Sequence, residues 1–192
     1  MNFKRLFKWW AAGYGLVLAA AGVWKWAEGR EIAIYLGSYQ RGQERSTETL
    51  GTRSLDFGHR DCRFLVDDKK EVEMLALVAA ERLKSGTGRL KADAEMTEAA
   101  REHARDMVKR GYFSHYTTDG RDAGDRLKEA GVVFGLVGEN LAYAPSVQAA
   151  HRGLMDSPMH RRNILEPRFG RVAAGVLTSR DCGVMVVENF AD

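Results

Sequence analysis

From Trp9 to Trp24 the chain runs for sixteen residues without a charge, with Lys4, Arg5 and Lys8 before the run and Lys25 and Trp26 closing it. No other feature constrains the fold as much. A basic flank followed by an apolar segment with aromatic residues at both ends reads as membrane insertion, with the flank kept in the cytoplasm and everything after about residue 27 on the far side. Two readings stay open. Ala19-Ala20-Ala21 offers the small-residue cleavage site of a secretory signal peptide. Trp9 and Trp10 at one end, with Trp24 and Trp26 at the other, favour an uncleaved anchor, because indoles prefer the headgroup level. The run is short for a span at ~1.5 Å per residue, and snorkelling by Lys8 and Lys25 lengthens it. The leading expectation is therefore a single-pass helix over residues 1–27 in the inner (cytoplasmic) membrane. Its N-terminus is cytoplasmic, and the domain that follows is periplasmic or extracellular.

The anchor has a sidedness. At ~100° per residue Ala11, Gly15, Ala19 and Gly22 share one stripe, opposite Trp9, Leu16, Val17 and Trp24. Small residues let helices approach closely, so the stripe is a candidate packing face for transmembrane helices of a larger complex. Alternatively, it reflects only how common Ala and Gly are in membrane spans.

The rest of the chain has the size of one ordinary domain, since the whole is 192 residues. Its 29 basic against 26 acidic residues give a net charge of +3, too small an excess for a nucleic-acid footprint. Two cysteines exclude a disulfide-dense scaffold and a four-thiolate zinc site. Residues 28–66 read as a juxtamembrane segment and tether: Glu31 to Gly37 is a short apolar patch rich in Ile and Tyr, either a strand or a juxtamembrane segment, and Ser38 to Asp61 is polar, Gly-punctuated and without a sustained period.

From Asp67 the pattern is helical. Val72, Leu75, Val78 and Ala79 form the expected inner face of a first helix, with Arg82 and Lys84 outside and Ser85-Gly86-Thr87-Gly88 as its stop. A second helix starts at an Asp93 cap, carries Met96, Ala99, Ala100, His103 and Met107 on one face, and closes at Lys109-Arg110-Gly111. A short helix follows over Asp125 to Ala130, then a strand over Val132 to Ala144. Ser146 caps a helix through Met155, and Ser157-Pro158 opens another turn. Arg171 to Thr178 and Gly183 to Phe190 are β-branched runs in a hairpin pattern. Helices first and antiparallel strands after predict an α+β domain with helices packed on a small antiparallel sheet.

Four segments in order carry a resemblance. They are Ala100-Arg101-Glu102-His103-Ala104-Arg105-Asp106-Met107, then Gly111-Tyr112-Phe113-Ser114-His115 with Asp119-Gly120, then Gly138-Glu139-Asn140-Leu141-Ala142, then Ser157-Pro158-Met159-His160-Arg161-Arg162-Asn163-Ile164-Leu165. Together they resemble a bacterial SCP-like member of the CAP superfamily, named for cysteine-rich secretory proteins, antigen 5 and pathogenesis-related 1 proteins, over residues 67–192. The resemblance implies an α-β-α sandwich, an extracytoplasmic address, and a cavity lined by two histidines and two acids. By motif these are His115, Glu139 and His160. Pro158 stands where relatives often place the second acid, and Asp156 is the nearby substitute if the turn points it inward. Leu154 and Met159 also depart from the usual tryptophan and glycine.

His115, His160 and Glu139 have the chemistry of a divalent-metal set, such as zinc, or of a tuned proton-transfer pair. The plainer alternative is two structural histidines and a carboxylate that accepts backbone amides. His103 reads as a buried core residue, His59 and His151 as solvated, and Asn140 as ordering a strand end. No serine sits in a nucleophile-elbow pattern. In an oxidising compartment Cys62 and Cys182 are expected to form one bridge rather than two isolated thiols. The leading functional expectation is a membrane-anchored binding module for lipid, cell-wall material or a protein partner. The alternatives are a structural subunit of a membrane complex and a metal-assisted hydrolase.

Overall fold

A computed structural model describes residues 26–28, 31–41, 53–55 and 62–192. Most of the expected anchor, its stripe of Ala11, Gly15, Ala19 and Gly22, and His59 lie outside these residues. No helix among the described residues is long and apolar enough to cross a membrane.

Five helices are present among the described residues: α1 (Asp68–Lys84), α2 (Ala94–Arg110), α3 (Ala123–Glu129), α4 (Val147–Asp156) and α5 (Pro158–Leu165). The strands are β1 (Trp26–Glu28), β2 (Glu31–Arg41), β3 (Arg53–Ser54), β4 (Leu65–Val66), β5 (Lys91–Ala92), β6 (Tyr112–Phe113), β7 (Leu136–Ala144), β8 (Arg171–Ser179) and β9 (Gly183–Ala191). The main sheet runs β1-β2-β7-β9-β8-β4, antiparallel throughout, with β5 added in parallel beside β8. A separate two-stranded pair joins β3 to β6.

The alternation of β8 divides the core in two. Val172, Ala174 and Val176 pack with Met74, Val78, Val147, Leu154 and Ile164 from α1, α4 and α5. Ala173 and Leu177 point to the other face, where Met96, Ala100 and Met107 of α2 cover them. At Gly175 no side chain separates α2 from the sheet: a Cβ there would lie 2.5 Å from the Arg101 nitrogen and 2.6 Å from the Ala100 carbonyl carbon. Backbone cannot yield as a side-chain tip can. Gly175→Ala is expected to lower the denaturant midpoint, at a cost of about 1–3 kcal/mol. An unchanged midpoint would show that α2 has room to spare.

The caps follow from the sequence. Asp67, Asp93, Asp122 and Ser146 each accept a backbone N–H from the first turn of their helix. Gly111, at φ 69°, ends α2 in a left-handed conformation that turns the chain directly into β6. Cys62 and Cys182 are disulfide-bonded, with Cα atoms 5.7 Å apart, tying the approach to β4 to the β8–β9 turn.

Four expectations are corrected. Of the two readings of Glu31–Gly37 the strand is the one present, but it runs on to Arg41, so the first residues assigned to the tether belong to β2, which has eight Cα partners on β7. In α1 the inner stripe is Met74, Val78 and Arg82, while Val72 is 68% exposed. Arg82 is buried because its guanidinium donates to the carbonyls of Gly88, Ile164 and Glu166, closing the C-terminal end of α5. Periodicity cannot anticipate an arginine turned inward by distant carbonyls. The capping box of Asp122 and Asp125 starts α3 two residues earlier than the apolar pattern suggests. His151 is buried in α4, against the expectation of a solvated ring.

Candidate functional site

The chain leaves β6 through Ser114 and His115, both buried. Three elements hold this dipeptide. From α2, His103 Nε2 lies 2.9 Å from the Ser114 carbonyl and donates to it. From α3, Arg126 Nη1 donates to the His115 carbonyl at 2.9 Å. From the middle of β7, Glu139 Oε1 accepts from His115 Nδ1 at 2.7 Å, and Glu139 Oε2 accepts from Arg126 Nη2 at 2.5 Å.

Burial sets the charges. For His103 the loss of water dominates, reinforced by the Arg126 cation, and its pKa falls to about 3, so the ring is neutral. For Glu139 burial alone would push the carboxyl up, but Arg126 and the His115 hydrogen bond outweigh it and hold the group at about 2. The result is a buried carboxylate locked between one guanidinium and one imidazole.

Above this cluster a cleft of about 530 Å³ opens between α2 and α3, and His103 and Arg126 both line it. Its rim is acidic, with Glu95, Glu98 and Glu102 along one flank of α2 and Glu129 on α3.

The family model described as the cysteine-rich secretory protein family (CAP) matches residues 75–190, more than half of the chain. The chain belongs to this family. Among relatives, YkwD of Bacillus subtilis (strain 168) is 33% identical over 113 residues, 58% of this chain and 43% of its own length. The membrane protein YlbC of the same organism is 33% identical over 112 residues, 58% of this chain and 32% of its own. The chain thus spans less than half the length of either. An extracellular SCP-domain protein from Bacillus anthracis superposes with a TM-score of 0.60 at 28% identity, over 65% of this chain and 41% of the other. An outer surface protein from Borrelia burgdorferi gives a TM-score of 0.63 at 19% identity, over 68% of this chain and 98% of the other, a likeness of fold alone. The bacterial SCP-like domain and its α+β architecture are thereby established.

In this CAP domain the motif residues are distributed unequally. His115 and Glu139 meet. His160 is buried in α5 on the opposite side of the sheet, and its carbonyl accepts from Asn140 Nδ2 at 3.2 Å. Asn140 neighbours Glu139 in β7, so the two side chains leave by opposite faces. Asn140 is no strand-end residue: it lies in mid-strand, fully buried, and Asn163 Nδ2 donates to its Oδ1 at 2.9 Å. Asp156 is solvent-exposed at the end of α4 and does not join the buried pair.

As arranged, these side chains do not fit a divalent cation such as zinc. Glu139 is already neutralised by Arg126, and a metal on its carboxylate would sit against that guanidinium. Among the described residues no group of three or more His, Cys, Asp or Glu is placed to hold a metal ion.

Two members of the buried polar system escape sequence reading. Arg126 lies in a helix too short to show a period. The signal for it is Glu139 itself, the one charged residue of its strand, which once buried demands a cation within reach. Glu188 of β9 is fully buried on the α5 face, where its Oε2 accepts from Asn140 Nδ2 at 2.9 Å. Burial pushes its carboxyl up to about 7, against the opposing pull of that hydrogen bond.

Glu188 carries a pH-dependent cost. Because its pKa is raised on folding, the native state binds the extra proton between about 4.5 and 7, and stability falls as pH rises through that window. Glu188→Gln is therefore expected to stabilise the domain by about 2–3 kcal/mol above pH 7, and to change it little near pH 4.5. Thermal unfolding at the two pH values checks this; an equal shift at both would assign the gain to packing.

Proposed function

We propose that the protein is a membrane-anchored, extracytoplasmic CAP module that works by binding. The observation that carries this reading is the state of Glu139. Its carboxylate is committed on both oxygens to His115 and Arg126, so it serves to brace the floor of the α2–α3 cleft rather than to move a proton or activate water. Among the described residues no serine or cysteine nucleophile accompanies it: Ser114 Oγ accepts the Tyr116 amide, and Cys62 and Cys182 are bonded to each other.

The outward address draws support from the apolar run at Trp9–Trp24, from the disulfide, and from relatives described as a membrane protein and as an extracellular protein. In this reading the bilayer is the first partner, the N-terminus is cytoplasmic, and the domain stands on the other side of the inner membrane.

Two measurements test the proposal. In fractionated cells the intact chain should stay with the membrane and be digested by protease added from outside; recovery from the soluble cytoplasm would overturn the anchored reading. A pull-down from gently solubilised membrane should return a ligand or partner, and His115→Ala should not abolish a hydrolytic activity. Stoichiometric bound metal together with a hydrolysis lost in His115→Ala would replace binding with metal-assisted catalysis.

A further inference from the structure

Strand pairing fixes the point at which the chain enters the domain. Trp26 opens β1 and pairs with Ala33, and the next residue of β2, Ile34, pairs with Tyr143, one residue before β7 ends at Ala144. Trp26 therefore stands at the end of the sheet where β7 and β8 finish and β9 begins. From Ala33 the rest of β2 runs away from that end for eight residues to Arg41, about 26 Å at ~3.3 Å per residue.

Only Lys25 separates Trp26 from the apolar run that closes at Trp24. In an anchored chain Trp26 lies at the bilayer surface and β2 leads away from it, since the opposite orientation would drive the strand into the hydrocarbon. What else this end of the sheet presents decides how the domain meets that surface.

It presents cations and an apolar side chain. β4 pairs Leu65 with Thr178, so Arg63 and Leu65 lie beside the β8–β9 turn, and the Cys62–Cys182 bond pins their segment to that of Arg180 and Asp181. Arg63 and Arg180 are exposed, as is Lys69 in the first turn of α1, and none of the three has an ion-pair partner among the described residues. Of the acids close in sequence, Asp68 is bridged to Arg101 and Asp67 caps α1, so three cations face the Asp181 of the turn. Leu65 is 62% exposed, while Phe64 and Val66 on either side pack toward the α2 core. A lone exposed leucine is ordinary. This one sits among uncompensated cations at the end where the chain enters.

We propose that this end of the sheet docks on the anionic phospholipid headgroups of the membrane that holds the chain, with Arg63, Lys69 and Arg180 on the phosphates and Leu65 at the level of the glycerol backbone. The inference rests on the anchored reading and adds to it the surface by which the domain stands on the bilayer. Charge complementarity supplies the attraction: near an anionic membrane each Lys or Arg strengthens binding roughly fivefold. The disulfide holds the two arginine-bearing segments together, so the surface is preformed.

The test reconstitutes the full chain into vesicles of phosphatidylcholine, with or without phosphatidylglycerol, carrying the photoreactive benzoylphenylalanine in place of Leu65 or, as a control, of Val133. Val133 is 86% exposed, and its carbonyl is bonded by Arg171 at the opposite end of β8. After irradiation of the anionic vesicles, lipid adducts read by mass spectrometry should be about fivefold or more commoner at Leu65 than at Val133. The yield at Leu65 should fall about threefold or more when phosphatidylglycerol is omitted, and equally when Arg63→Gln and Arg180→Gln are combined. The change of lipid alters no residue, so it carries the decision if circular dichroism shows the double variant unfolded.

Equal yields at the two positions, or none at Leu65, would overturn the surface. A yield at Leu65 that ignores both phosphatidylglycerol and the arginines would overturn the headgroup contact. If the chain floats with the vesicles but Leu65 gains no lipid, the surface falls and the anchor survives. If the vesicles float without the chain, both fall.

Discussion

Replacing Arg126 with methionine should destabilise the domain by about 3–5 kcal/mol, the usual consequence of leaving a buried charge without its partner. Arg126 and Glu139 are 7% and 0% exposed, so water cannot take over the lost contacts. The guanidinium also bonds the carbonyls of His115 and Arg121, so its removal unpins the segment after β6 as well as the carboxylate. Deprived of the cation that holds it near 2, Glu139 would be raised by burial, and stability would fall as pH rises through its new value. The double variant Arg126→Met with Glu139→Gln should recover a large part of the loss, and urea unfolding of the four proteins in the cycle measures it. Strict additivity would mean that the two side chains are neighbours without being coupled.

Opening the disulfide should have an effect of similar size. Cys62 and Cys182 are separated by 120 residues, and closing a loop of that length removes enough unfolded-chain entropy for about 5 kcal/mol in the chain-entropy account. The cysteines join the segment just before β4 to the turn between β8 and β9. Cys62→Ser with Cys182→Ser should therefore lower the melting temperature steeply while leaving the sheet intact at low temperature. A thiol titration of denatured, non-reduced protein taken straight from cells should find none free. Two titratable thiols would show that the bridge does not form in the cell.

The sequence-level and structural views of this domain agree where local chemistry decides and part where distant groups do. Asp93 as a cap, Gly111 as a left-handed stop and the β8–β9 hairpin are each dictated within a few residues. The face of α2, with His103 buried among Met96, Ala100 and Met107, follows from a 3.6-residue period. By contrast, periodicity places Arg82 in solvent, because the carbonyls of Ile164 and Glu166 that draw it inward lie far along the chain, at separations of 82 and 84. At Glu31–Arg41 the apolar half, Glu31–Gly37, is open to reading as a strand, but Ser38–Arg41 reads as tether, because what holds these polar residues in β2 is their pairing with the distant β7. In the site, the meeting of His115 and Glu139 is readable from their motifs. The face on which His160 lies is not, since it depends on how α5 docks on the sheet.

Two buried titrating groups lie on opposite faces of the sheet, His103 on α2 and Glu188 on β9 toward α5, and their effects on proton uptake run in opposite senses. The unfolded chain takes up a proton at His103 below about 6.5 that the folded domain refuses down to about 3. The folded domain retains a proton at Glu188 up to about 7 that the unfolded chain releases near 4.5. Between about 4.5 and 6.5 the two differences cancel, leaving His151, also held low by burial, as a weaker tilt. Unfolding in that window exchanges almost no protons through these two sites, so the stability they set changes little with pH across it. Below about 4.5 the compensation ends, because Glu139 then joins His103 on the side of the unfolded chain. Gradual tolerance therefore gives way to a steep acid limit.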